Sequence, residues 1–321
     1  MRAFITGARG FIGGMLAERL RAGGDEVTGV DLAVDRARGI VGGDVSAPGP
    51  WQQAAAGAEL FFHTAAVVSN VGDPERYWRL NVLGTRLALD AARDAGVRRF
   101  VHFSSVRAFG DSGWPDGVTE DYPVRTQRRP YVDTKIASEQ VVLQAHAAGE
   151  IECTVIRPGD VYGPGSRPWV LLPLEMIRSG RFLLPAMGHG IFSPVYVDNL
   201  LDGVLAAAES EAAAGQVLTI SDGVGIETRE FFSHHCRWLG KPPPRGMPTT
   251  LAKLLFEAGG RFERALGRES EAGAVAADYL ARTGTYSIAK ARRMLGYQPR
   301  VDLTEGMHRT ETWLRAERLL D

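Results

Sequence analysis

Tyr131 and Lys135 stand four positions apart in Tyr131-Val-Asp-Thr-Lys135. Residues at that spacing share one face of a helix, so a phenol and an ammonium can lie side by side. A free tyrosine has a pKa of ~10 and is a poor base near neutrality. A neighbouring cation favours the phenolate, and Tyr131 can then take a proton from a hydroxyl or return one to a carbonyl oxygen. Ser104 and Ser105 close an apolar run upstream of it, and a hydroxyl there can donate to the same oxygen as negative charge develops. No histidine and acid are placed to make Ser105 a nucleophile, which argues against a hydrolytic triad. Chance predicts roughly 0.1 Tyr-xxx-Lys pairs in a chain of this composition. The chain holds a second, Tyr286-Ser-Ile-Ala-Lys290, with no strand-end serine before it. We read Tyr286 as a packing aromatic and Lys290 as a surface charge.

Proton transfer of this kind needs a hydride carrier, and the N-terminus offers a place for one. Gly7, Gly10 and Gly13 lie between a short apolar run, Ala3 to Thr6, and a helical pattern carried by Phe11, Ile12, Met15, Leu16 and Leu20. Glycine allows a tight turn and close approach to a pyrophosphate, and a helix N-terminus offers free N–H groups to that anion. The glycine spacing is weak alone; the strand–turn–helix setting gives it weight. Asp31 ends the second strand, where a carboxylate accepts from the adenosine ribose hydroxyls and repels a 2′-phosphate. NAD is therefore favoured over NADP, against the counter-signal of Arg9, Arg36 and Arg38 nearby. Asp44 and Val45, after a third strand, are placed to meet the adenine, although an aspartate there also reads as a turn cap.

These residues need a scaffold, and the periodicity supplies one. Strands are expected at Glu26 to Asp31, Ile40 to Val45, Glu59 to Thr64, Arg99 to Ser104 and Glu152 to Ile156, with long helices from Pro74 to Ala95 and from Tyr131 to Ala148. The alternation implies an α/β fold, a doubly wound parallel sheet that binds ligands at the carboxyl ends of its strands. After Arg157 prolines multiply. Strands near Pro194 to Val197 and Gln216 to Ser221 are expected to return to the sheet, and Lys241 to Pro248 reads as a stiff connector. The nucleotide-binding part is placed at 1–162 and about 195–222. A smaller, discontinuous C-terminal substrate lobe takes about 163–194 and 223–321. The two long helices could pair across a twofold axis in a homodimer.

Composition removes several alternatives. A net charge of −1 gives no general attraction to nucleic acid. Two cysteines, Cys153 and Cys236, are too few for a disulfide framework and fit a reducing cytoplasm. No apolar run is long enough to cross a bilayer, and no metal-ligand spacing surrounds the cysteines. The charged segment Thr249 to Arg268 reads as a solvated helix face.

Taken together the motifs resemble the extended short-chain dehydrogenase/reductase family, also called the NAD-dependent epimerase/dehydratase family. The matching stretches are Thr6 to Gly14, His63 to Ala66, Asn81 to Thr85, Phe103 to Gly110, Tyr131 to Lys135, Arg157 to Gly165 and Val195 to Leu200. They follow the family order across about two-thirds of the chain. The resemblance implies a Rossmann-like fold and Ser105, Tyr131 and Lys135 as the catalytic set. It also implies a cofactor groove formed by Gly7, Arg9, Gly10, Phe11, Ile12, Gly13, Asp31, Asp44, Val45, Ala65, Ala66, Asn81, Ser104, Tyr131, Lys135 and Pro158. Phe109 stands where the family usually has tyrosine.

The branch is read from departures. Nucleotide-sugar enzymes of the family usually carry an arginine–acid pair before the Val195 to Leu200 stretch, whereas this chain has Ile191-Phe192-Ser193-Pro194. The dehydratase acids are also missing, since Ser105, Val106 and Arg107 occupy those positions. Tyr286 to Thr310 resembles the 3β-hydroxysteroid and sterol dehydrogenase branch. Trp169 to Leu174 and Ile177 to Pro185 are apolar enough to wall a pocket for an uncharged substrate. The expected activity is NAD-dependent interconversion of a secondary alcohol and a ketone on a hydrophobic, sterol-like small molecule. A nucleotide-sugar 4-epimerase is the first alternative, and a non-catalytic NAD-binding sensor is the alternative of another class.

Overall fold

The computed structural model describes residues 1–111, 114–267, 271 and 273–320. Seven strands form its main sheet: β1 Arg2–Thr6, β2 Glu26–Asp31, β3 Ile40–Gly42, β4 Leu60–His63, β5 Arg99–Phe103, β6 Glu152–Pro158 and, after four short strands, β11 Val217–Ile220. The intervening strands are β7 Asp160–Tyr162, β8 Leu183–Leu184, β9 Ile191–Phe192 and β10 Pro194–Tyr196; β12 Ile226–Glu227 and β13 Arg245–Gly246 come last. The sheet order is β3-β2-β1-β4-β5-β6-β11, parallel throughout. The chain reverses direction across the sheet between β1 and β4, and such a reversal opens a crevice at the carboxyl ends.

Alternation along each strand builds two cores. On β1, Ala3 and Ile5 face one side and Phe4 the other. Phe4, Phe61 and Phe100 stack in series at 5.0 and 5.2 Å on the second face. That face is covered by α3 Gly84–Asp94 and α4 Pro130–Ala147, which follow α1 Phe11–Ala22 and α2 Pro74–Trp78 in the chain. The first face is covered by α1 and, further on, by α6 Val197–Glu209, which follows the short α5 Leu172–Arg178.

Several expectations need correction. The helix expected from Pro74 to Ala95 is present, but one π-helical turn, Arg79–Leu83, interrupts it between α2 and α3. The third strand ends at Gly42 rather than Val45, with a last bond from the Gly43 N–H to the Asp31 carbonyl. Gln216 to Ser221 does return to the sheet as β11, whereas Pro194 to Val197 does not: β10 pairs only with β7, in a separate two-stranded ribbon. The proline-rich connector supplies β13, which pairs with β8.

The C-terminal helices are α7 Thr228–Trp238, α8 Thr249–Ala265, α9 Ala274–Leu280, α10 Ala289–Leu295 and α11 Leu303–Ala316. In the expected solvated segment, α8 turns Leu251, Leu254, Leu255 and Phe262 outward and buries Ala252 and Gly260. Its exposed face carries these apolar side chains together with Arg261 and Arg264, so it is solvated but only partly charged. Arg268 lies outside the described residues. Val170 and Leu174 pack with Leu314 and Leu320 from the chain end, so much of the apolar run expected to wall a pocket is lobe core instead. No helix among the described residues is long and apolar enough to cross a membrane.

Candidate active site

The glycine loop sits at the crevice between β1 and β4. Gly7 has φ +68°, and a Cβ there would lie 3.0 Å from the Ala65 backbone. At Gly13 a Cβ would lie 2.2 Å from the Gly7 carbonyl oxygen, so this position fixes how closely α1 approaches the loop. Gly10 is the residue before α1; no side chain caps the helix and its first turn holds no acid. The N–H groups of Phe11, Ile12 and Gly13 therefore have no partner within the helix and no competing negative charge. That is the donor set a pyrophosphate requires.

Asp31 closes β2 beside this loop. Its carboxylate accepts the Arg9 N–H at 2.9 Å and the Leu32 N–H at 2.8 Å, which leaves lone pairs on both oxygens for ribose hydroxyls. Arg38 faces Asp35 at 3.8 Å, which answers part of the positive counter-signal there. Asp44 accepts the Ser46 N–H at 2.9 Å, and its hydrogen bonds to Ser46 hold its carboxyl below the usual range. It forms a turn cap, one of its two expected roles. The Val45 side chain packs into the core beneath α3 instead of facing the groove.

Ala65 and Ala66 follow β4 as expected, and the Ala65 N–H bonds Thr6 Oγ1 at 3.3 Å. Asn81, carried by the π-helical turn, is buried. Its Oδ1 accepts the Val67 N–H at 2.8 Å and its Nδ2 donates to Thr134 Oγ1 at 3.1 Å. Asn81 thus ties the loop after β4 to α4, and its contacts are with protein. π-helical turns recur at functional sites because they displace one side chain from the helical register.

Helix α4 presents Tyr131 and Lys135. Pro130 sets its first turn, and Asp133 reaches back to the N–H groups of Gln127 and Arg129 at 2.7 and 3.1 Å. Tyr131 is thereby fixed at the helix start, beside Ser105. One turn on, Lys135 is buried and its Nζ donates to the Phe103 carbonyl at 2.7 Å, at the end of β5. Burial lowers its pKa to about 8, against the pull of Glu139. The structure therefore brings Ser105, Tyr131 and Lys135 to the carboxyl edge of the sheet, beside the glycine loop's crevice. Pro158 ends β6 at the same edge.

One electrostatic expectation changes. Burial raises the Tyr131 pKa, and the groups that oppose it are Ser105 and the Arg107 guanidinium. Lys135 gives one of its three hydrogen bonds to the Phe103 carbonyl and is not among those groups. Ser104 does not face the groove: its hydroxyl bonds Glu139, which forms a buried pair with Arg157 at 2.7 and 2.8 Å.

Other buried polar groups lie beneath the site. His63 bridges Thr6 at 2.7 Å and Thr85 at 3.1 Å, and stacks on His102 at 5.6 Å. Burial, with Lys135 nearby, pushes the His63 pKa down to about 3, so it stays neutral and is no acid–base group. Sequence reasoning also passed over Arg107, Asp111 and Tyr279. Arg107 lies over the Tyr131 ring at 5.2 Å and the Tyr279 ring at 4.7 Å, and pairs with Asp111 through two bonds of 2.7 Å. A signal was present: an arginine inside the otherwise apolar Ser105-Val-Arg-Ala-Phe109. Tyr279 gave none, because it sits in a helix far along the chain. Tyr286 packs between Phe109 and Trp114 at 5.7 and 5.4 Å, as its reading as a packing aromatic requires.

The sequence matches the NAD dependent epimerase/dehydratase family over residues 3–221. This chain belongs to that family. It is an enzyme of the extended short-chain dehydrogenase/reductase type. Relatives differ in chemistry. A 4-hydroxy-2-methyl-3-oxo-4-farnesyl-3,4-dihydroquinoline-1-oxide ketoreductase of Stigmatella aurantiaca is 32% identical over 96% of this chain and 95% of its own. A UDP-glucose 4-epimerase of Mycolicibacterium smegmatis is 30% identical over 98% of this chain and 99% of its own. Among solved structures, MoeE5 in complex with UDP-glucose and NAD is 25% identical, with a TM-score of 0.77 over 99% of this chain and 100% of that one.

Proposed function

We propose that this enzyme is an NAD-dependent reductase or dehydrogenase that interconverts a hydrophobic ketone and its secondary alcohol. The supporting observation is an aromatic run leading away from Tyr131. Arg107 stacks on Tyr131, Tyr279 on Arg107, Trp169 on Tyr279 at 5.9 Å, and Phe192 meets Trp169 edge-on at 4.8 Å. Phe192 occupies the stretch where nucleotide-sugar enzymes of the family resemblance carry charge, and it is buried among Phe231 and Phe232. Trp169, the partly exposed member of this run, offers an apolar surface that suits a substrate with few polar anchors. The Stigmatella relative, by its name a reductase of a farnesylated ketone, points the same way.

NAD, when bound, supplies or accepts the hydride. Gly7, Gly10, Phe11, Ile12 and Gly13 would hold its pyrophosphate, Asp31 its adenosine ribose, and Tyr131 with Lys135 its nicotinamide ribose. In the reducing direction Tyr131 donates its phenolic proton to the substrate oxygen, and Ser105 donates a second hydrogen bond to that oxygen. The reverse step returns the proton to Tyr131. Burial raises the Tyr131 pKa, which suits its role as the acid in reduction.

The test is turnover with a defined panel. NADH consumption with long-chain or polycyclic ketones, lost in Tyr131→Phe, supports the reading. Interconversion of UDP-glucose and UDP-galactose without net NADH change, together with no ketone reduction, would refute it in favour of a 4-epimerase. Cofactor binding without turnover, unchanged in Tyr131→Phe, would instead favour a sensor.

A further inference from the structure

Arg107 is beside the reacting tyrosine, yet proton transfer makes no direct use of it. Its guanidinium is held between the Tyr131 and Tyr279 rings. Nε and one Nη donate to Asp111, both at 2.7 Å, and the other Nη donates to Asn70 Oδ1 at 2.8 Å. A guanidinium carries five N–H groups. Three are used among the described residues, so two remain, one on each terminal nitrogen. The residue is 9% exposed, which leaves these donors little access to bulk water. Desolvated donors without acceptors are costly, and an acceptor brought by a ligand relieves that cost.

The surrounding charges decide what kind of acceptor fits. Asp111 also bonds Arg129, Arg129 bonds Asp278 at 2.8 Å, and Asp278 bonds Lys253 at 2.5 Å. Glu271 lies on the other side, accepting from Ser69 at 2.5 Å and from the Asn70 N–H at 2.7 Å. Arg107, Arg129 and Lys253 are thus balanced by Asp111, Asp278 and Glu271. With no excess of positive charge, the two free donors suit a neutral oxygen better than a carboxylate.

We propose that Arg107 is a specificity-determining residue, which donates to a second, neutral acceptor oxygen close to the carbonyl that Tyr131 protonates. The substrate class is then a ketone with an adjacent oxygen function, such as a 3-oxo ester or a hydroxy-ketone, carrying an apolar tail along Tyr279 and Trp169. This rests on the reductase reading. The two-point grip of Asp111 and the flanking rings fix the fork, so it selects by position as well as by chemistry.

The experiment compares two probes, an alkyl 3-oxoalkanoate ester and the chain-matched ketone without the ester group. Initial NADH oxidation gives kcat/KM for each, with the natural protein, Arg107→Lys and Arg107→Met. The ester-over-ketone preference should fall about 10- to 100-fold in Arg107→Met, the range expected for a charge-assisted hydrogen bond. Removing the cation beside Tyr131 changes the turnover of both probes, but the loss should fall more heavily on the ester, and Arg107→Lys should recover part of that difference. Comparing preferences removes the intrinsic reactivity of the ester. If Arg107→Met does not fold, Arg107→Met with Asp111→Asn removes the stranded carboxylate and carries the same comparison. An equal loss for both probes, or an unchanged preference, overturns the role of Arg107 and leaves the reductase reading intact. Reduction of neither probe by the natural protein overturns both.

Discussion

Lys135 carries a cost that the fold bears for the sake of its site. Its pKa falls from 10.5 to about 8 because its ammonium is buried. That difference corresponds to about 3 kcal/mol of stability withheld while the group is charged in both states. Replacing Lys135 with methionine, a straight apolar chain, removes the penalty. It also removes the hydrogen bond to Phe103, worth about 1–2 kcal/mol. Lys135→Met should therefore be about 1–2 kcal/mol more stable than the natural protein at pH 7, while its ketone reduction is lost. The pH dependence isolates the cause. The folded value lies below the unfolded one, so between pH 8 and 10.5 the unfolded chain binds the extra proton. The natural protein gains stability from this group as pH rises through that window, and the advantage of methionine must shrink over the same range. Urea unfolding of both proteins without cofactor, at pH 7, 8, 9 and 10, measures it. A difference that stays constant across these pH values, or a methionine variant less stable at pH 7, would refute the reasoning.

Three further outcomes follow from individual contacts. Burial lifts the Asp222 pKa from 3.8 to about 7, despite bonds from Asn199 and the Tyr196 N–H. The folded protein then holds a proton that the unfolded chain has released, so this group's stability is lost as pH rises from 4 to 7; Asp222→Asn should gain about 2–4 kcal/mol above pH 7 and nothing near pH 4, checked by urea midpoints. Gly13→Ala places a methyl 2.2 Å from the Gly7 carbonyl and should cost about 1–3 kcal/mol and weaken NAD binding at least tenfold, read by calorimetric titration. Asp31→Ala removes the acceptor for the Arg9 and Leu32 N–H groups and should weaken NAD more than NADP, so the ratio of the two dissociation constants moves toward NADP.

The sequence by itself determined the sheet and the proximity of Tyr131 and Lys135, the core of the proposed reacting trio. Alternating apolar strands and helices leave few ways to cover a parallel sheet, and Tyr131 to Lys135 are joined by one helical turn, a local relation that spacing reports. The glycine loop was legible for the same reason: Gly7, Gly10 and Gly13 act through the backbone over six positions. Tertiary structure alone decided which charges matter. Ser104 and Ser105 are adjacent in sequence, yet one faces Glu139 and the other Tyr131, because successive residues in extended chain point to opposite sides. Arg107 and Asp111 are only four positions apart, but Asn70 and Tyr279 come from a separate loop and helix, and spacing carries no record of their meeting Arg107. The same holds for α8, which exposes Leu251, Leu254, Leu255 and Phe262 while it buries Ala252 and Gly260. A pattern along the chain fixes what one element can present; which neighbour it is presented to depends on packing between elements distant in sequence.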